Sequence, residues 1–375
     1  MNDWLDLVSS LLDAGATSVD VGGVTVVGSH GDPLREYHAI EKGPALVDCS
    51  YRGLLEVTGS DRASWLHNFT TNHVKTLACG EGNYAFTTNA QGRILFDLNI
   101  LVKEDIIWLD LDRRFLGVAT LHFKKYIITE DVSIVDRSDD FVRLGLTGDR
   151  AAMLLTELGG PDAAALPSLG HTDISLSGMS VAMVRHDFCG TFGVELYVPR
   201  ESAVQLWRSL SDPSRANAAT PAGYEAVQIH RIESGIPWSG HEITDEVLPA
   251  ETGQLERAVA FDKGCYLGQE VVERMRSRGA VARRLRSQHD ELLPAISANN
   301  LGRPGLGCDG QRHRVLSLLR RSGRRAFDVA GVSRRHAVRP DGDVPLLAGR
   351  SDPDRYPASH PSLTEPPQRR GMRGR

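Results

Sequence analysis

Two stretches of this chain repeat one local grammar: LLEVTGSDRASWLHNF (54–69) and RLGLTGDRAAMLLTEL (143–158), with Thr58 and Thr147 89 residues apart. In each, alternating apolar residues run into a Thr-Gly pair and then into a helical pattern, which predicts strand, tight turn and helix. Asp61 and Asp149 stand where a helix N-terminus favours a carboxylate. A period of this length is too long for a solenoid and suits a duplicated half-domain.

The segments downstream of each copy support the duplication. After the first come the strand-like NYAFTTN, RILFDLNILV and DIIWLDL and a helix near 113–122; after the second come SVAMVRH and FGVELYV and the helix ESAVQLWRSL. Paired strands alternating with helices on one face predict an α+β fold rather than a parallel, doubly wound one. At 375 residues the chain is long enough for two or three domains. No apolar run reaches the roughly 18 residues that span a bilayer, and the start, MNDWLDLVSSLLDAGA, lacks a basic signal-peptide region. A cytoplasmic protein without membrane contact is expected.

The composition changes at residue 281. Nineteen of the arginines and nine of the 18 prolines fall in the last 95 residues, and the charge is −15 before that point and +10 after it. Three readings stay open: a basic arm for nucleic acid, a solvated disordered tail, or a reading-frame slip near Leu285. With Phe327 and Tyr356 as its aromatics, the tail has little for base stacking. No function is assigned to it, and direct nucleic-acid binding is not expected.

The five cysteines form no CxxC pair, and no metal-ligating set is visible. Cys265 stands out in DKGCYLGQEVVERMRSRG, just ahead of a predicted helix with Gly279 as its stop. A helix N-terminus and Lys263 would together lower its thiol pKa; the alternative is a buried small residue in a tight turn. In HRIESGIPWSGHE (230–242), Glu233 stands at a helix end before Gly235 and Pro237. It is either a surface glutamate or an acceptor for a planar, guanidine-like edge such as a pterin's. In NYAFTTNAQGRILFDLNI, residues 89–92 read as a hairpin turn, and Asp97 interrupts an apolar strand on the same face as Leu95 and Asn99. That carboxylate is paired, solvent-facing or functional. The histidines, His67 and His73 among them, are read as structural. No P-loop, nucleophile elbow or dinucleotide fingerprint is present.

KGCYLGQE resembles the signature of the YgfZ-type folate-binding proteins, relatives of the glycine-cleavage T-protein (aminomethyltransferase). YRGLLEVTGSDRASWLHNFTTNHVKTL, RIESGIPWSGHE and RSRGAVARRL extend the likeness over roughly residues 33–285. The resemblance implies duplicated ferredoxin-like halves, about 33–136 and 137–285, around a tetrahydrofolate site, after an N-terminal helical extension (1–32). It implies Glu233 as the pterin grip, with Arg231, Tyr84 and Gln269 also at the cofactor, and Cys265, Lys263 and Asp97 as the reactive set. The activity implied is a tetrahydrofolate-binding accessory role in iron–sulfur cluster assembly or repair, indirectly supporting tRNA modification. Its partners would be iron–sulfur assembly proteins or client enzymes; the alternative is a T-protein-like aminomethyltransferase. The chain departs from the T-protein pattern where Phe96 replaces the first aspartate of an Asp-Asp pair, which predicts no aminomethyltransferase turnover. Residues 286–375 show no succession of period-two strands, unlike the family's C-terminal β-barrel.

Overall fold

Alternation along the strands decides the architecture, because it gives each sheet one face for helices and one for the other sheet. The computed structural model describes residues 3–278, 283–289 and 314–320. The chain opens with α1 (Trp4–Asp13), capped by the Asp3 carboxylate, followed by the hairpin β1 (Thr17–Val21) and β2 (Val24–Ser29). The stretch expected to be a helical extension is thus half hairpin. Its valines alternate about Gly22–Gly23, and both glycines have positive φ.

Then come α2 (Pro33–Lys42), β3 (Ala45–Asp48), β4 (Arg52–Thr58), α3 (Arg62–His67), β5 (Gly82–Thr88), β6 (Ile94–Val102), β7 (Ile107–Asp112), α4 (Leu116–Lys124) and β8 (Ser133–Asp136). The second copy supplies β9 (Phe141–Thr147), α5 (Ala151–Glu157), β10 (His171–Leu176), β11 (Met179–Arg185), β12 (Gly193–Pro199), α6 (Ala203–Leu210), β13 (Thr220–Ala222) and α7 (Tyr224–Glu233). A short α8 (Leu255–Ala258), α9 (Gln269–Arg278) and the antiparallel pair β14 (Arg283–His289) and β15 (Arg314–Arg320) complete the described elements. The rest of the arginine-rich tail, and Gly279, lie outside the described residues.

Both copies of the repeat are strand, turn and helix as the sequence predicts. Gly59 (φ 102°) and Gly148 (φ 104°) make equivalent turns, and a Cβ at either would meet backbone carbonyl oxygen, Asp131 O at 2.0 Å or Gly43 O at 2.1 Å. Asp61 differs from expectation: its carboxylate accepts from the Asp131 N–H at 2.9 Å instead of capping α3.

The two sheets are a five-stranded antiparallel one, β5-β6-β7-β4-β8, and a mixed six-stranded one, β10-β11-β12-β9-β3-β13. The halves interlock across the expected division at residue 136, because β3 lies between β9 and β13 in the second sheet, parallel to β13. On the outer face of the first sheet, Leu55, Phe96, Leu98 and Leu109 pack under Trp65 of α3 and Phe123 of α4. On the outer face of the second, Leu144, Leu146, Val194 and Leu196 pack under α5, α6 and Trp4 of α1. The inner faces share a third cluster, in which Leu54, Tyr84 and Trp108 of one sheet join Val184 and Tyr197 of the other. Whatever polar groups the strands carry inward end at this junction. Among the described residues no helix is long and apolar enough to cross a membrane.

Candidate active site

Strand periodicity sends Asp97 and Asn99 of β6 inward while Phe96 and Leu98 enter the outer core. The face that could have been solvent is a cleft: Asp97 is 7% and Asn99 3% exposed. The cleft is lined by Arg52, Asp97, Asn99, His186, Asp187 and Arg257, with aromatic walls from Tyr51, Tyr84, Phe188 and Trp238. A neighbouring cleft shares Tyr84, Asn99, His186 and Arg257 and extends to Asn83, Ser168 and Leu169. The Arg257 guanidinium lies 4.1 Å over the Tyr84 ring at this shared wall.

Asp97 is held from two directions. Tyr84 Oη donates to its Oδ2 at 2.8 Å, and its backbone N–H donates to Ser239 Oγ at 3.1 Å. Burial, and then the Asp97 charge, push the Tyr84 phenol well above its ordinary range, so it stays a donor.

Beneath the cleft lies a buried charge network that sequence reasoning missed. Arg52 Nε donates to Asp110 Oδ1 at 2.8 Å, Asn99 Nδ2 donates to Asp110 Oδ2 at 2.8 Å, and Arg143 Nη1 donates to Oδ1. Burial alone would raise the Asp110 pKa; Arg143 and Arg52 outweigh it and hold the carboxyl well below its ordinary range. Arg143 stacks 4.2 Å over Tyr197 and hydrogen-bonds its hydroxyl. Its Nε is 3.9 Å from Glu195 Oε1, and Glu195 Oε2 takes His186 Nδ1 at 2.9 Å. Glu195 is 1% exposed, and its Oε1 accepts no hydrogen bond among the described residues. Arg143 and His186 hold that carboxyl below its ordinary range against the opposing effect of burial. A signal was present: Asp110, Arg143 and Glu195 are each a charge inside an apolar strand, as Asp97 is.

The loop after α7 closes one wall. Arg231, 1% exposed, donates to Glu242 Oε2 at 2.7 Å and lies 5.0 Å from the Trp238 ring, while Glu242 also accepts from the Trp238 N–H at 3.1 Å. Arg114 Nη2 bridges Asp112 Oδ2 (2.7 Å) and Ser239 O (2.9 Å). Arg231 therefore braces Trp238 rather than lining either cleft. Glu233 lines neither cleft; Tyr37 Oη of α2 donates to its Oε2 at 2.8 Å.

The segment carrying Cys265 is a clamp. Lys263 Nζ donates to the carbonyls of His67 (2.7 Å), Thr70 (2.5 Å) and Asn72 (2.8 Å). Burial, with Lys75 adding, lowers its pKa to about 7. Thr88 Oγ1 donates to Leu267 O at 2.5 Å, and the Leu267 N–H donates to Asn68 O at 3.2 Å. The ammonium expected to serve the thiol is thus spent on backbone carbonyls. Cys265 is exposed, so the buried-turn alternative does not hold, and it is four residues ahead of Gln269, the first residue of α9. The structure brings Asp97 and Tyr84 together in the cleft, and Lys263, Cys265, Gln269, Arg231 and Glu233 line neither described cleft. Among the described residues no group of His, Cys, Asp and Glu could hold a metal ion.

Comparison with known proteins agrees with this geometry. The GCVT N-terminal domain model matches residues 7–263. Proteins named aminomethyltransferase from Thermoanaerobacter sp. (strain X514) and Bacillus subtilis (strain 168) are 27% identical over 254 residues and 28% identical over 268 residues. These matches cover 66% of this chain and 67% of the first relative, and 71% and 74% for the second. The crystal structure of glycine cleavage system aminomethyltransferase T from Bartonella henselae superposes with a TM-score of 0.66 at 20% identity, covering 75% of this chain and 76% of that one, which shows a shared fold. Interlocked sheets, an inward-facing strand carboxylate and a match over more than half the length lead to one conclusion: the chain belongs to the GCVT N-terminal domain family.

Proposed function

We propose that this protein is a one-carbon transferase of the aminomethyltransferase type, which binds a tetrahydrofolate-like reduced pterin at the inner junction of the two sheets. The observation that carries the reading is Asp97, a carboxylate buried on the floor of an aromatic-walled cleft, oriented by Tyr84 while Ser239 holds its backbone N–H, with Oδ1 accepting no hydrogen bond among the described residues.

The residues present fit such a group. A pterin is flat and offers adjacent N–H donors along one edge, so it needs apolar walls and a buried acceptor. Tyr51, Phe188 and Trp238 supply walls, and Glu195, which lies behind the cleft-lining His186 and not on the cleft surface, leaves Oε1 as a buried acceptor that costs about 1–3 kcal/mol while unsatisfied. When bound, the reduced folate supplies the nitrogen that receives the one-carbon unit. Asp97 holds negative charge where an amine donor becomes cationic, and Tyr84 fixes its orientation. The Trp238 loop, braced by Arg231 and Arg114, excludes water from that charge.

Phe96 does not weigh against turnover. It packs against Phe123 at 5.7 Å in the outer core, so the aspartate missing from that position belongs to the face away from the cleft. The names of the relatives support the same reading. The test is tetrahydrofolate-dependent release of ammonia from an aminomethyl donor. Asp97→Asn should lower turnover by about 10²-fold or more; turnover equal to wild type, or none by the wild type, would overturn the assignment.

One feature favours the narrower YgfZ-type reading, an accessory factor for iron–sulfur proteins: the exposed thiol of Cys265, on a turn clamped at both ends. In that reading Cys265→Ala fails to restore iron–sulfur enzyme activity in a strain lacking the endogenous factor. Full restoration removes it.

A further inference from the structure

We infer that His186 is the proton-transfer residue of the cleft, its Nδ1 fastened to Glu195 and its Nε2 left to exchange protons with the reacting amines. This rests on the one-carbon reading above and adds to it the group that moves the protons.

His186 follows directly on β11, and its backbone is pinned there: its N–H donates to Gly193 O at 2.9 Å, and the Gly193 N–H donates to Asp187 Oδ1 at 2.9 Å. The imidazole, 16% exposed, lines both clefts, and its Nε2 makes no hydrogen bond among the described residues. Nδ1 stands 2.9 Å from Glu195 Oε2. An ionised carboxylate only accepts, so Nδ1 carries the proton and the neutral ring presents Nε2 as a base on the cleft side. Glu195 also steadies the imidazolium that forms when Nε2 takes a proton, while Arg143, 3.9 Å behind, keeps Glu195 ionised.

The other cleft-lining groups are committed elsewhere. Guanidiniums such as Arg52 and Arg257 do not release a proton. Burial pushes the Tyr51 and Tyr84 phenols well above their ordinary range. Asp187 accepts from Gly193 and Arg185, and Asp97 serves as the fixed charge. Passing a one-carbon unit between amines leaves one proton to move. The incoming nitrogen bonds to the carbon and sheds a proton; the departing nitrogen takes one as its bond to that carbon breaks. His186 Nε2 receives the first and returns it to the second, so the histidine is regenerated and nothing is oxidised or reduced.

The experiment joins nitrogen-15 NMR of the full, ligand-free chain to kinetics of His186→Asn, whose side-chain amide keeps a donor for Glu195 and removes the base. The His186 signals are assigned through the neighbouring Phe188 ring, 6.3 Å away between centroids. The expected results are a neutral imidazole protonated on Nδ1, and a His186→Asn whose kcat falls about 10²-fold with KM and tetrahydrofolate affinity within about threefold of wild type. A neutral ring protonated on Nε2, or a folded His186→Asn that keeps wild-type kcat, overturns the inference. So does a loss confined to KM, which would make His186 a binding group. If His186→Asn does not fold, as judged by its melting, the tautomer of the wild type decides alone. The two readings fail differently: a wild type without turnover removes the one-carbon function and this role with it, whereas turnover that His186→Asn retains removes the role alone.

Discussion

The clamped turn at residues 263–269 and the cleft between the sheets divide the labour in opposite ways. The turn is contiguous and conspicuous in sequence, yet its lysine is spent on three backbone carbonyls and its cysteine is exposed. The cleft is assembled from residues as far apart as Arg52 and Arg257, yet it holds the open Asp97 oxygen and the aromatic walls. A motif dense in chemical side chains can serve to fasten segments together, while the chemistry belongs to single charges that strand periodicity sends inward.

Substitutions break or sharpen this contrast in order of expected effect. Asp110→Ala strips the shared partner from two buried arginines, so unfolding in urea should show a loss of about 3–5 kcal/mol; a loss under about 1 kcal/mol would mean the network does not support the cleft. Lys263→Met removes three hydrogen bonds from buried carbonyl acceptors and should lose about 1–3 kcal/mol. Acid should erode stability through two histidines. His67 and His241 have pKa values lowered to about 4, first by burial and then by nearby cations: Lys263 for His67, and Arg231 and Arg114 for His241. Because the unfolded chain binds protons at these sites near 6.5, their contribution is complete above that pH and falls as pH drops from 6.5 to 4. Melting temperatures that are flat across this window would contradict the burial argument. Cys265→Ala should change stability least, within about 0.5 kcal/mol; a larger loss than Lys263→Met would invert the comparison.

The fold was largely legible because local rules settle it. The two Thr-Gly turns, the strand alternation of β4 to β7 and the glycine after α7 arise from backbone sterics within a few residues. The insertion of β3 into the second sheet was not legible, since pairing partners almost 100 residues apart leave no local trace. The hairpin of β1 and β2 could have been read from valines alternating about two glycines. At the site, Asp97 was legible as a charge in an apolar strand, but which face is solvent depends on the second sheet. The same signal marks Asp110, Arg143 and Glu195, and applying it to every strand would have found the network. Glu233 drew attention by its place at a helix end, where Tyr37 across from it, 196 residues away in sequence, could not be foreseen.

The most direct measurement is calorimetric titration of tetrahydrofolate into the wild type, Glu195→Gln and Glu233→Gln. If the inner junction holds the pterin, the wild type binds saturably, Glu195→Gln weakens binding by about 1–3 kcal/mol and Glu233→Gln leaves it unchanged. Loss on Glu233→Gln with Glu195→Gln unaffected, or no binding by a folded wild type, would contradict the account.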